Sequence, residues 1–136
     1  MAFVHGKEGY IAVDDSGGTA RDISAYVTSV EGFPGDTASH DVTTLGKDTV
    51  HRSAGLDDLK VTIQGIYDDT VDGYLAGAKG LVGTVTYGPK GSTGGYQKYE
   101  AEMLLVSYKL SQPVGGMITW SASYEIASGD LSDTTF

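Results

Sequence analysis

The chain has no cysteine, which excludes disulfide staples, thiolate metal sites and a cysteine nucleophile together. Its 3 prolines are too few for a proline-rich disordered segment. Long apolar runs are missing as well. The longest aliphatic stretch is Met103–Val106, four residues, where a membrane-spanning helix needs about 20, so no membrane insertion is expected. The first twenty residues include His5, Lys7, Glu8, Asp14 and Asp15 and lack the apolar centre of a secretory signal. The protein is expected to be made in a cytoplasm. Basic residues are scarce: 9 Lys and Arg face 18 Asp and Glu, a net charge of −9 with histidines neutral. Firm binding of nucleic acid rests on clustered Lys and Arg that neutralise phosphates. That mode is excluded, whereas passing close to DNA without adhering is not.

Glycine is abundant, with 20 among 136 residues, about twice the usual 7%. Nine tyrosines accompany them, with many threonines and valines. Glycine-punctuated runs of β-branched and aromatic residues predict a mainly β fold with many turns. A length of 136 residues with 40% hydrophobic content suits one domain, 1–136, with a real core.

Strands are expected at Gly9–Val13, near Arg21–Ile23, and at Tyr26–Phe33, which Pro34-Gly35 ends. Leu59, Val61 and Ile63 alternate with Lys60 and Thr62, and Gly65 then interrupts the alternation like a bulge. Asp68, Asp69 and Thr70 form a helix N-cap cluster. Val71, Tyr74, Leu75 and Ala78 follow at the spacing of one helical face, and Gly80 stands at the expected C-terminal stop. One short helix over about 69–79 results. Leu81–Tyr87 reads as a strand and Gly88–Gly95 as a flexible connection. Tyr96–Leu110 is a long strand whose middle is apolar on both faces, which predicts cover on both sides. After a turn at Gln112–Gly116, Ile118, Trp120, Ala122, Tyr124 and Ile126 give the strongest alternation of the chain. Seven or so strands and one helix make a β-sandwich or partial barrel.

No motif for catalysis or cofactor binding emerges. Gly46-Lys47-Asp48-Thr49 resembles the end of a phosphate-binding loop, but Asp41 and Asp48 occupy the positions that need Gly and Ser or Thr. Asp14, Asp15 and Asp22, or Asp57, Asp58, Asp68 and Asp69, lack calcium-loop spacing and suit turns and helix caps. His5, His40 and His51 stand at no metal-ligand spacing. Gly91–Gly95 lacks the order of a dinucleotide loop, and Trp120 shares its face with Ile118 and Ile126, which argues for core packing. The chain is expected to be no enzyme, with no catalytic, cofactor or metal residue.

The segment Gly35–Asp58 is the oddity. It has 24 mostly polar residues with isolated apolar ones at Val42, Leu45, Val50, Ala54 and Leu56, and structureless connections beyond about 12–15 residues are uncommon. Fixing a free backbone costs roughly 1–2 kcal/mol per residue, on the order of 25–50 kcal/mol for this segment. Its own apolar side chains do not offset that. A long extended loop over 35–58 is expected, either disordered in the monomer or ordered against other copies of the chain, with Val42-Thr43-Thr44-Leu45 suited to pairing with a neighbour's sheet edge.

Several segments, taken in order, resemble the major tail tube protein of long-tailed bacteriophages, particularly those of actinobacterial hosts. They are Met1-Ala2-Phe3-Val4-His5-Gly6-Lys7, Asp22-Ile23-Ser24-Ala25-Tyr26, Thr43-Thr44-Leu45-Gly46-Lys47-Asp48, Ala54-Gly55-Leu56, and Tyr87-Gly88-Pro89 before Tyr99–Leu110. The resemblance implies hexameric rings stacked into a virion tail tube that conducts double-stranded DNA into the host without specific binding. It further implies synthesis in the bacterial cytoplasm and tape measure, tail tip and tail terminator proteins as partners. The 35–58 loop would touch the adjacent ring, through Val42, Thr43, Thr44, Leu45, Lys47, Val50 and Leu56. A C-terminal decoration domain, common in the family, is expected to be absent. Six times −9, or −54 per ring, fits a lumen that does not hold phosphates, and Glu100, Glu102 and Glu125 are lumen candidates. The alternatives are a tube of a contractile tail or secretion apparatus, a non-catalytic β-sandwich that binds carbohydrate or decorates a capsid, and a small hydrolase.

Overall fold

The computed structural model describes residues 6–136; the Met1–His5 part of the resemblance, His5 included, lies outside the described residues. Nine strands and one helix follow in order: β1 (Tyr10–Asp14), β2 (Ala20–Asp22), β3 (Val27–Glu31), β4 (Asp36–Asp41), β5 (Arg52–Asp58), β6 (Lys60–Ile66), α1 (Asp69–Leu75), β7 (Val82–Gly88), β8 (Gln97–Ser111) and β9 (Thr119–Thr135). Seven strands form one antiparallel sheet in the order β2-β1-β7-β8-β9-β6-β3, and β4 and β5 pair only with each other.

Alternation builds the core. Val61 and Ile63 of β6, Ala101, Met103 and Leu105 of β8, and Trp120, Ala122 and Tyr124 of β9 all turn to one side, joined by Ile11, Val13 and Val85. The helix closes that side with Val71 and Leu75, and Ala78 follows in a 3-10 turn. Asp68 caps the helix by accepting from the Thr70 amide at 2.8 Å, and Gly80 stops it with φ +84°. The helical turn thus spans Asp69–Ala78, close to the expected stretch. Tyr108 donates its hydroxyl to Asp72 at 2.7 Å, tying β8 to the helix.

The sheet rolls on itself without closing. A 3-10 turn at Ser24–Tyr26 carries the chain from β2, at one edge, to β3, at the other. Ser24 accepts from the Ile11 amide at 3.0 Å, and the Ile23 amide donates to the Ile11 carbonyl at 3.1 Å. Just past β3, the Phe33 ring stacks on Tyr87 of β7 at 5.3 Å and on Tyr99 of β8 at 6.4 Å. Of the two expected architectures, the partial barrel is the one observed.

Three local expectations need correction. The bulge assigned to Gly65 lies on its partner strand, where the register shifts between Val27 and Ser29. Gly65 is needed instead for close approach, since a Cβ there would collide with the Tyr26 carbonyl and sit 2.7 Å from the Trp120 ring. The middle of β8 is not covered on both faces. A bulge between Leu105 and Ser107 flips the alternation, so Tyr108 joins the core and Val106 stays exposed, while Leu110, on the Tyr108 side, is exposed near the strand's end. Finally, β9 continues past Ile126 to Thr135, pairing with the start of β8.

Gly65→Ala is expected to destabilise the fold by about 1–3 kcal/mol, because overpacking a filled site forces its neighbours to shift. Urea denaturation checks this, with Gly73→Ala as the control, since no atom lies within 4 Å of a Cβ added there.

Candidate assembly interface

The 35–58 segment is not a loop. It is a twisted ribbon, β4 paired with β5 from Asp36↔Asp58 to Asp41↔Arg52, with a register shift between Thr37 and Ser39. Sequence patterning did not reveal it because neither strand has an apolar face to mark its period. Every residue of β4 is exposed, and in β5 only Gly55 is partly covered. The cover on Gly55 comes from the ribbon itself, from the His40 ring lying across it.

Both legs of the ribbon are firmly rooted. Phe33 holds one through its two ring stacks. Leu59, buried between β5 and β6, holds the other, and its carbonyl accepts from the Ile126 amide at 2.9 Å. Gly32 and Gly35 have φ of +117° and +110°, and a Cβ at Gly32 would strike the Lys60 carbonyl. Only glycine allows the two legs to run this close at that backbone angle.

The far end is organised by two side chains, Asp41 and Thr43, and by a backbone pair. The Val42 amide donates to the His51 carbonyl at 2.9 Å, and the His51 amide donates to the Thr43 hydroxyl at 2.7 Å. Asp41 accepts from the Thr43 amide at 2.9 Å. That amide, and then the Thr43 hydroxyl, hold the Asp41 carboxyl below its ordinary value. Beyond them Thr44, Leu45, Gly46 and Lys47 make the turn, with Gly46 at φ +87°. Leu45 is fully exposed, Leu56 is 86% exposed, and Val42 and Val50 are about half exposed. Lys47 enters no ion pair among the described residues. The expected contact residues therefore gather on one arm, Leu56 along its stem and the others at its tip.

Glu100, Glu102 and Glu125 come together on the sheet face opposite the core. Glu100 accepts from the Thr86 hydroxyl at 2.9 Å and Glu102 from the Thr84 hydroxyl at 2.5 Å. Lys98 stands 3.9 Å from Glu100, and Lys60 stands 3.9 Å from Glu125. By register, Thr62, Gln64, Ser121 and Ser123 share this face. It is hydroxyl-rich and only weakly acidic, because lysines stand among the glutamates.

The aspartates considered for calcium serve turns. Asp15 accepts from the Gly17 and Thr19 amides and pairs with Arg21 at 2.9 Å. Asp22 accepts from Ser24, Asp68 caps the helix, and Asp69 accepts from the Tyr67 hydroxyl. Among the described residues no three His, Asp or Glu side chains gather as a metal site. His40 and His51 both lie on the arm. An open cleft of about 300 Å³ between β1 and β3 has Lys7, Tyr10, Ser24 and Tyr87 among its polar lining.

No family model and no curated protein sequence matches the chain. Solved structures do. A chain of the tail of an empty GTA particle, with C6 symmetry, superposes with a TM-score of 0.78 at 18% identity, over 98% of this chain and 100% of that one. The tail tube of SPP1 matches with a TM-score of 0.62 at 13% identity, over 98% and 80%. A chain of the PVC sheath–tube complex, an extracellular contractile injection system, matches with 0.62 at 11%, over 98% and 93%. The chain has the tail tube fold.

Acidification should release the arm tip before the body. Because Asp41 is held below its ordinary value of 3.8, its turn is intact above that pH and is lost as pH falls through the lowered value. The Thr43 amide resonance is expected to move toward random coil below about pH 4 while core amides hold, and in Asp41→Asn that pH-dependent movement should vanish.

Proposed function

We propose that this chain is the repeating subunit of a hollow tail tube. Six copies form each ring, and stacked rings make the conduit through which double-stranded DNA leaves a bacteriophage or phage-like particle for the host cell. The observation that carries this reading is the ribbon arm on a tail tube fold: two strands with exposed apolar side chains and no body of their own to cover them. An isolated two-stranded hairpin is marginal in water, and open strand edges with apolar tips pair with other chains. The tail in the C6-symmetric GTA particle supports the sixfold ring.

In this reading the protein does structural work and no catalysis, in the virion tail after synthesis in the bacterial cytoplasm. Val42, Thr43, Thr44, Leu45, Lys47, Val50 and Leu56 contact a neighbouring copy. Glu100, Glu102 and Glu125 face the lumen, where lysines and hydroxyls soften the repulsion they exert on phosphates. Tape measure, tail tip and terminator proteins are the partners the family resemblance implies. The likeness to the PVC sheath–tube complex favours one second reading, a tube that works inside a sheath.

Purified protein at rising concentration is expected to form hollow rods of uniform width in negative-stain electron microscopy, with fast-sedimenting species alongside. Deleting Asp41–Gly55 should leave a folded, soluble chain by circular dichroism and remove the rods. Rods formed by the deleted protein would refute the role given to the arm.

A further inference from the structure

One polar group in the core is left over. Tyr124 of β9 is 4% exposed, and its hydroxyl has no hydrogen-bond partner among the described residues. Trp120, buried to a similar degree on the same strand, shows the contrast, because its ring nitrogen donates to the Ile66 carbonyl at 3.1 Å. A buried donor without a partner is unfavourable compared with a phenylalanine in the same place. The Tyr124 hydroxyl therefore calls for a partner from outside the chain.

Tyr124 lines a narrow crevice of about 10 Å³ together with Asp14, Ala78, Leu81, Val82 and Leu105. Asp14 ends β1, and β7 and β8 stand between β1 and β9 in the sheet. The Asp14 carboxylate accepts from the Thr84 amide at 3.0 Å. A carboxylate offers about four acceptor positions, so capacity remains. Burial, and then the charge of Asp14, push the Tyr124 hydroxyl well above its ordinary value. The hydroxyl thus stays protonated, with a proton to donate.

We propose that one water molecule seats in this crevice, accepting from the Tyr124 hydroxyl and donating to the Asp14 carboxylate. Size selects the ligand, since about 10 Å³ is room for a single water and for nothing larger. Polarity selects it too. A neutral donor facing an anionic acceptor is joined by a molecule that can both accept and donate. A metal ion fits less well, because Asp15, the second carboxylate lining the crevice, is engaged with the Gly17 and Thr19 amides and with Arg21. The water ties β9, the strand that carries Glu125, to the end of β1. It does so beside Ala78 and Leu81, where the helical segment hands over to β7. The site lies in the body of the fold and needs no second copy.

A high-resolution crystal structure of the full chain is expected to show one ordered water within about 3.2 Å of both the Tyr124 hydroxyl and an Asp14 oxygen. A Tyr124 hydroxyl bonded directly to a protein group, or a crevice without that water, would overturn the proposal. In solution, Tyr124→Phe removes the donor and keeps the ring. Its folding equilibrium constant, from urea denaturation, is expected to fall about fivefold. In an Asp14→Ala background, where the bridge is already broken, the same substitution should cost less than about twofold. An unchanged or larger constant for Tyr124→Phe alone would count against the bridge, and so would an equal loss in both backgrounds. Should Asp14→Ala fail to fold, the crystallographic result and the single substitution still decide.

Discussion

The stacking of Phe33 on Tyr87 and Tyr99 couples two features that would otherwise be independent. It brings the end of the edge strand β3 across to β7 and β8, strands on the far side of the sheet order, and so holds the roll of the partial barrel. It also fixes the point at which the chain leaves for the arm. Three near-parallel rings, with interplanar angles of 17°, 21° and 18° and centroids 5.3–6.4 Å apart, make an offset aromatic cluster. Aromatic pairs of this kind contribute about 0.5–1.5 kcal/mol each beyond simple burial. With Leu59 buried on the other leg, the arm is clamped at both feet, and its direction is a property of the body.

That clamping changes the energetics of assembly. A free 24-residue segment would lose on the order of 25–50 kcal/mol of conformational freedom on docking, more than the arm's four exposed large apolar side chains offset. The ribbon has already fixed most of that backbone through its own ladder and through the Asp41, Thr43 and His51 contacts at its end. What docking must still order is the tip and a few side chains. Preorganisation of this sort is how a small apolar contact yields useful affinity, and in the proposed ring of six copies such contacts add by multivalency.

Where side chains are sorted between core and solvent, the sequence was legible. The Ile118–Ile126 alternation, the Asp68 cap and the Val71, Tyr74, Leu75 and Ala78 spacing all fell on elements that bury one face. Legibility failed where that sorting is absent. β4 and β5 expose both faces, so no period marked them as strands, and their residues read as a loop. The end of β9 past Ile126 is mostly polar, includes Gly129 at φ +71°, and is held chiefly by backbone pairing with β8, with Leu131 the one apolar side chain of that stretch packed on the core. The bulge at Val106 defeated the reading differently: one extra residue inverted which side chains of β8 face inward, and no local composition announces it. The exposed apolar side chains of the arm were legible all the same, because isolated apolar residues in a polar stretch stand out without any knowledge of the backbone.

The distribution of charge completes the picture. A net charge of −9 suits an acidic or neutral lumen, and the sheet face carrying Glu100, Glu102 and Glu125 is tempered by Lys60 and Lys98 and by a field of hydroxyls. The excess acidity sits elsewhere, on the arm and around the first turn of α1. In the proposed tube, with this face as the lumen wall, a weakly acidic hydroxylated surface suits the passage of DNA. Clustered lysines would hold phosphates by counter-ion release, and dense carboxylates would raise a barrier of repulsion along the whole tube. Mixed short-range pairs such as Lys98–Glu100 and Lys60–Glu125 have fields that fade within a Debye length of about 8–10 Å, leaving a duplex near the tube axis little to grip.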